Sequence, residues 1–145
     1  MQTIFYIILA FIMGIIISIY LPINSSVSKY LGSPITANIS FFMVAFIISV
    51  LIFAFFGDYK TIFKFKDVPP YLYLTGAGAA CMILGTTFLI PKIGTRKFFI
   101  LVIAGQILTA IVISHFGVLG SPKDTISSKK IIGAILLLIG AVFSV

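Results

Sequence analysis

Residues 34–56 read PITANISFFMVAFIISVLIFAFF, and this run decides the fold. It holds no Asp, Glu, Lys or Arg and exceeds the roughly 20 apolar residues that a helix needs to cross the hydrocarbon core of a bilayer. It opens on Pro34, and the first turn of a helix accepts a proline because the missing N–H would have no partner there. Four further predominantly apolar runs lie near residues 3–23, 71–91, 97–116 and 129–145. Five membrane helices are therefore expected, forming one membrane domain over residues 1–145 with no separate soluble domain.

The gaps between the runs carry their own start signals. Ser33-Pro34 and Pro69-Pro70 place prolines at helix starts, while Thr95 and Ser128 are expected to accept orphan N–H groups at the fourth and fifth starts. From Ser128 to Val145 the last helix would measure about 27 Å, just under the hydrocarbon thickness, with Lys129 and Lys130 able to snorkel at its start. The first helix has nothing before Gly32 that obliges it to stop, so it is open to an extension through Asn24, Ser25, Ser26 and Ser28 to Leu31. Pro22 would then kink it and free a carbonyl beside Asn24. Two readings follow: a polar cavity at this point, or simple hydrogen bonding between neighbouring helices.

Composition excludes several classes of protein. The chain is 61% hydrophobic and 9% charged, with a mean hydropathy of +1.27, far from the roughly 25% charged residues of a globular domain. The net charge of +7 would point to nucleic acid in a soluble protein. Here the bases lie between apolar runs, which makes them membrane-flanking charges, and no nucleic-acid partner is expected. Lys60-Thr61-Ile62-Phe63-Lys64-Phe65-Lys66 interleaves bases with aromatics, and between two membrane helices that pattern reads as an anchor at the lipid interface. The single cysteine, Cys81, lies in a small-residue run and acts as a small hydrophobe. The N-terminal run lacks a basic leader and a cleavage site and is expected to stay as the first helix.

Charge also bears on orientation. With the N-terminus cytoplasmic, the inner loops would hold Lys60, Lys64, Lys66, Lys123, Lys129 and Lys130, against Lys29, Lys92, Arg96 and Lys97 outside. Six against four is a weak bias under a rule that counts only Lys and Arg. A chain inserted both ways could pair with its own inverted copy and build an inverted repeat from one sequence. A fixed orientation, or a separate partner chain of opposite orientation, is the alternative.

There is no glutamate, and Asp58, Asp67 and Asp124 all fall between the apolar runs. A proton-coupled cation exporter would be expected to carry an acid inside the membrane, so that class is disfavoured. One His, one Cys and no embedded acid supply neither a catalytic constellation nor three protein ligands for a metal. No enzyme activity, cofactor or metal is expected. His115 is of the one residue type that ionises near neutrality and is the candidate proton switch, the alternative being an interfacial histidine bonded to backbone or water. The polar side chains within the runs form a neutral, hydrogen-bonding set. Among them Asn24 and Gln106 are the candidate cavity residues, because an amide is both donor and acceptor and is costly to turn towards lipid. Gly76-Ala77-Gly78 in the third run permits close helix packing or walls a cavity, and Gly133 and Gly140, seven residues apart on one face, are the candidate dimer contact.

In order and spacing, several elements together resemble the YdcZ-type five-helix family of the drug/metabolite transporter superfamily. They are Pro22-Ile23-Asn24, Leu31-Gly32-Ser33-Pro34, Ser40-Phe41, the glycine-rich segment after Pro69-Pro70, Pro91 with Gly94, Gly105-Gln106, Phe116-Gly117, and Gly133 with Gly140. Two positions depart from that pattern. Tyr20 stands where the family is expected to have Gln, and Ile113-Ser114 stands where Ile-Asp is common, so a family acid is missing. The resemblance implies half of a ten-helix inverted-repeat transporter of the bacterial inner membrane, with a cavity lined by the first, third and fourth helices. Asn24, Gly76 and Gln106, with Tyr20 beside them, would face a small metabolite or amphipathic substrate. The protein would act as an alternating-access exporter, in an inverted homodimer or with a paired homologous chain. A non-transporting subunit that packs against another membrane protein is the alternative.

Overall fold

The computed structural model of the chain describes residues 2–144 and holds only helices and connecting turns among them. The helices are α1 (Gln2–Leu31), α2 (Pro34–Phe56), α3 (Leu74–Ile93), α4 (Thr95–Phe116) and α5 (Ser128–Ser144), with 3-10 turns at Tyr59–Asp67 and Pro70–Tyr73. Met1, and Val145 at the end of the expected fifth span, lie outside the described residues. Among the described residues four stretches are long and apolar enough to cross a membrane: α1, α2, α3 with the turn before it, and α4. At 17 residues, α5 is shorter.

α1 continues through Pro22 to Leu31 and stops where Gly32 takes φ +68°, a left-handed conformation that costs a residue with a side chain. Two of its serines bond back to their own helix, Ser18 Oγ to the Gly14 carbonyl at 3.0 Å and Ser26 Oγ to the Pro22 carbonyl at 3.1 Å. α2 starts as its sequence predicts, with Pro34 in the first turn and the Ser33 hydroxyl accepting the Thr36 N–H at 3.3 Å. No residue of its most apolar stretch is buried within the chain, which fits a helix clad in lipid.

Three starts differ from expectation. Leu74 opens α3 because Pro69-Pro70 first directs the chain into a 3-10 turn. Thr95 is the first residue of α4 and does not cap it: Gly94, at φ +84°, makes the turn from α3 and supplies no side-chain cap, so the backbone geometry of a glycine replaces the expected hydroxyl. Ser128 likewise stands inside α5, where the Ser127 carbonyl accepts the N–H groups of Lys130 at 3.0 Å and Ile131 at 3.1 Å.

The chain divides into two compact units, one reaching to Lys92 and the other starting at Ile93. In the first, α1 packs along α2, and the buried residues include Leu21, Asn24, Ser25, Ser28, Ala37, Ile83, Thr86 and Thr87. In the second, α4 packs along α5, with Phe98, Ala104 and Ala141 buried. Several of the most enclosed positions of the first unit are polar, while large apolar side chains such as Phe11, Phe46 and Phe55 are more than two-thirds exposed. Water would penalise that arrangement and a hydrocarbon solvent favours it.

A groove between α1 and α2 and the polar seam behind it

Tyr20, Ile23, Asn24 and Val27 recur on one face of α1, at the three- and four-residue spacing of a helical stripe. Opposite them on α2 are Ser40, Phe41, Val44 and Ala45, and the two stripes enclose a groove of about 480 Å³. The Tyr20 and Phe41 rings stack across it, centroids 5.8 Å apart and planes 30° apart. The Ser40 hydroxyl donates to the Ala37 carbonyl at 2.9 Å, so it makes no unmet demand on the groove. The lining is apolar and aromatic with one amide, Asn24, and suits an amphipathic molecule better than a bare ion.

Asn24 is held from α3. Its Nδ2 donates to Thr87 Oγ1 at 2.8 Å, and the Thr87 hydroxyl in turn donates to the Ile83 carbonyl at 2.8 Å. Ser25 Oγ adds a longer bond, 3.4 Å, to the Thr87 carbonyl. Asn24 is 6% exposed and Thr87 1%. At this point the second of the two readings of the sequence has its geometry, a hydrogen bond between helices, and Asn24 also borders the groove. The other hydroxyls of the spans are mostly satisfied on their own helices: Ser49 Oγ donates to the Ala45 carbonyl at 2.8 Å, Thr75 Oγ1 to Leu72 at 2.9 Å and Thr86 Oγ1 to Met82 at 2.8 Å. Threonine and serine in helices commonly bond back in this way, which leaves the amides as the groups in need of partners. Asn38 Oδ1 is enclosed and has none among the described residues.

The remaining expected site residues are placed as follows. Gly76 on α3 is exposed, and an added Cβ there would meet nothing within 4 Å. Gln106 on α4 is exposed. Gly133 and Gly140 are exposed on α5, each with open space where a side chain would begin. The structure brings Tyr20 and Asn24 together in one groove.

His115 is half-buried in the last turn of α4, and its Nδ1 accepts the Ile126 backbone N–H at 3.2 Å. That bond requires a ring whose Nδ1 carries no proton. It belongs to a latch that folds the loop after α4 back onto the helix: Asp124 N–H donates to the Ser114 carbonyl at 2.8 Å, and Lys130 Nζ pairs with Asp124 Oδ1 at 2.5 Å and donates to the Thr125 carbonyl at 2.9 Å. Ser114, Asp124 and Lys130 border a second, smaller cavity of about 290 Å³. Among the described residues no three of His, Cys, Asp and Glu gather as metal ligands would.

Sequence reasoning passed over Ser25, Thr87 and Phe41 as members of this site. Asn24 and Tyr20 lie four residues apart on one helix, which is legible. Asn24 and Thr87 are 63 positions apart, and nothing local pairs them.

The family model described as "Putative inner membrane exporter, YdcZ" matches residues 5–143. No curated protein and no solved structure matches the chain.

Proposed function

The chain belongs to the YdcZ family, whose members are described as inner membrane exporters, and from that premise we propose that it carries a small metabolite or amphipathic compound out of the cell by alternating access. The observation that bears most weight is the groove between α1 and α2. It offers a stacked pair of rings, Tyr20 and Phe41, an amide, Asn24, and an otherwise apolar wall, with no carboxylate among its lining residues. Such a site would hold a flat or amphipathic molecule by contact area and one or two neutral hydrogen bonds. Gly76 and Gln106 are proposed as further substrate-contacting positions in the assembled transporter. The spans carry no carboxylate, which favours a substrate other than a tightly held bare cation.

A single copy supplies only half of the expected ten helices. The working unit we infer is an antiparallel homodimer, in which α5 serves as the fifth span and its open face at Gly133 and Gly140 meets another copy. At about 26 Å, α5 needs the snorkelling of Lys129 and Lys130 or a slight thinning of the bilayer to cross. The nearly even loop charge supports insertion in both orientations. His115 is proposed as a proton-responsive position at the loop latch.

Two measurements test this reading. Reporters active on only one side of the membrane are fused to the C-terminus in parallel: activity from both supports the inverted homodimer, and a single-sided result sinks it in favour of a partner chain. The compounds released into the medium by cells making the chain are compared with those from cells making Tyr20→Leu or Gln106→Leu at equal membrane level. Loss of a released compound in the variants supports a transport site. If the wild type releases nothing that control cells do not, the export reading fails and a packing subunit takes its place.

A further inference from the structure

A different cavity, the largest of the three described here at about 660 Å³, lies where the 3-10 turn Tyr59–Asp67 folds under the C-terminal half of α2. Phe46, Val50 and Phe53 form its floor at positions i, i+4 and i+7 of one helical face, and Ile62 and Phe65 form the opposite wall. One hydrogen bond ties the turn to α2, and a second holds the Phe65 wall to the following turn. The Tyr59 hydroxyl donates to the Ala54 carbonyl at 2.8 Å, with the Tyr59 ring edge-on to Phe53, and the Tyr73 hydroxyl donates to the Phe65 carbonyl at 2.8 Å.

The hydroxyls of the lining ask for nothing from a ligand. Ser49 Oγ donates to Ala45, and Thr61 Oγ1 donates to the Asp58 carbonyl at 2.6 Å. One cation borders the cavity, Lys64, and none of Lys60, Lys64 and Lys66 has a carboxylate within ion-pair distance among the described residues. The adjacent carboxylate of Asp58 is engaged in capping the turn, where it accepts the Lys60 N–H at 3.0 Å. The groove therefore combines an apolar trough of ligand size, beside the end of a membrane-spanning helix, with an unneutralised ammonium at its rim.

We propose that this groove is a binding site for an anionic phospholipid of the surrounding bilayer, with an acyl chain along Phe46, Val50 and Phe53 and the headgroup phosphate at Lys64. The charge at the rim selects the anionic class, since an apolar trough by itself would take any acyl chain. An ammonium placed at the headgroup phosphate favours an anionic lipid in the trough by about fivefold.

Native mass spectrometry of the purified full chain, exchanged into detergent with equal phosphatidylglycerol and phosphatidylcholine, tests the assignment. The wild type should retain phosphatidylglycerol about fivefold more than phosphatidylcholine, and Lys64→Gln, an exposed change that leaves the fold intact, should bring the ratio close to one. Lys29→Gln, at the end of α1, should leave it unchanged. Equal retention of both lipids by the wild type, a preference that survives Lys64→Gln, or an equal fall with Lys29→Gln would each overturn the site. Val50→Trp, which fills the trough, should lower retention of both lipids. Undiminished retention by that variant, with an unaltered circular dichroism spectrum, would place the lipid elsewhere.

Discussion

Replacing Thr87 by Val removes the acceptor of the Asn24 amide and changes little else in shape. The consequence can be worked from the bonding. Thr87 Oγ1 spends its proton on the Ile83 carbonyl and accepts from Asn24 Nδ2, both at 2.8 Å. In Thr87→Val the Ile83 carbonyl keeps its helical N–H partner, whereas Nδ2 of Asn24, 6% exposed, is left without an acceptor. In Asn24→Leu the Thr87 hydroxyl keeps its bond to Ile83, so the partner loses less. Stranding a buried polar group costs about 1–3 kcal/mol in soluble proteins, and hydrogen bonds between membrane helices average about 0.6 kcal/mol in double-mutant cycles, with a maximum near 1.7. The cycle Asn24→Leu, Thr87→Val should therefore give a coupling of about 0.6–1.7 kcal/mol, roughly threefold to eighteenfold in the unfolding equilibrium, with Thr87→Val the costlier single change. Reversible unfolding in mixed micelles, followed by far-ultraviolet circular dichroism, measures it. Additivity to within about 0.3 kcal/mol would refute the seam between α1 and α3.

Three more perturbations probe other contacts. Ala37→Leu adds methylenes at a position with no exposed surface, and the same unfolding assay should show a loss of about 1–3 kcal/mol. Gly117→Ala forces a side chain into φ +64°, with its Cβ 3.0 Å from Lys123 Cβ, and should cost about 1–2 kcal/mol and speed amide exchange at Val118. His115→Ala removes the acceptor of the Ile126 N–H, so that amide should exchange faster while those of Lys130 and Ile131, bonded to Ser127, stay protected. Unchanged exchange at Ile126 would mean that the contacts of Asp124 and Lys130 hold the loop without the histidine.

The groove illustrates why a lipid-soluble fold keeps its polar residues for special work. In hydrocarbon an unpaired amide has no water to fall back on, so Asn24 either meets another helix or faces a ligand. It does the first through Nδ2. Among the described residues its Oδ1 takes no partner, which leaves a hydrogen-bonding atom for the second.

What the sequence by itself determined is local. Runs such as 34–56 are helical and membrane-spanning because the bilayer demands length and apolarity of each segment separately, and Pro34, Gly32 and Gly117 punctuate helices through their own backbone chemistry. Tyr20 and Asn24 share a face by helical spacing alone. The tertiary structure decided what meets them. Phe41 stacking on Tyr20, Thr87 accepting from Asn24 and the trough under Phe53 all depend on how separate elements pack against one another. Helices whose faces are all apolar carry no stripe to mark which side meets a neighbour, so their partners follow only from packing and from the few polar groups that must find each other.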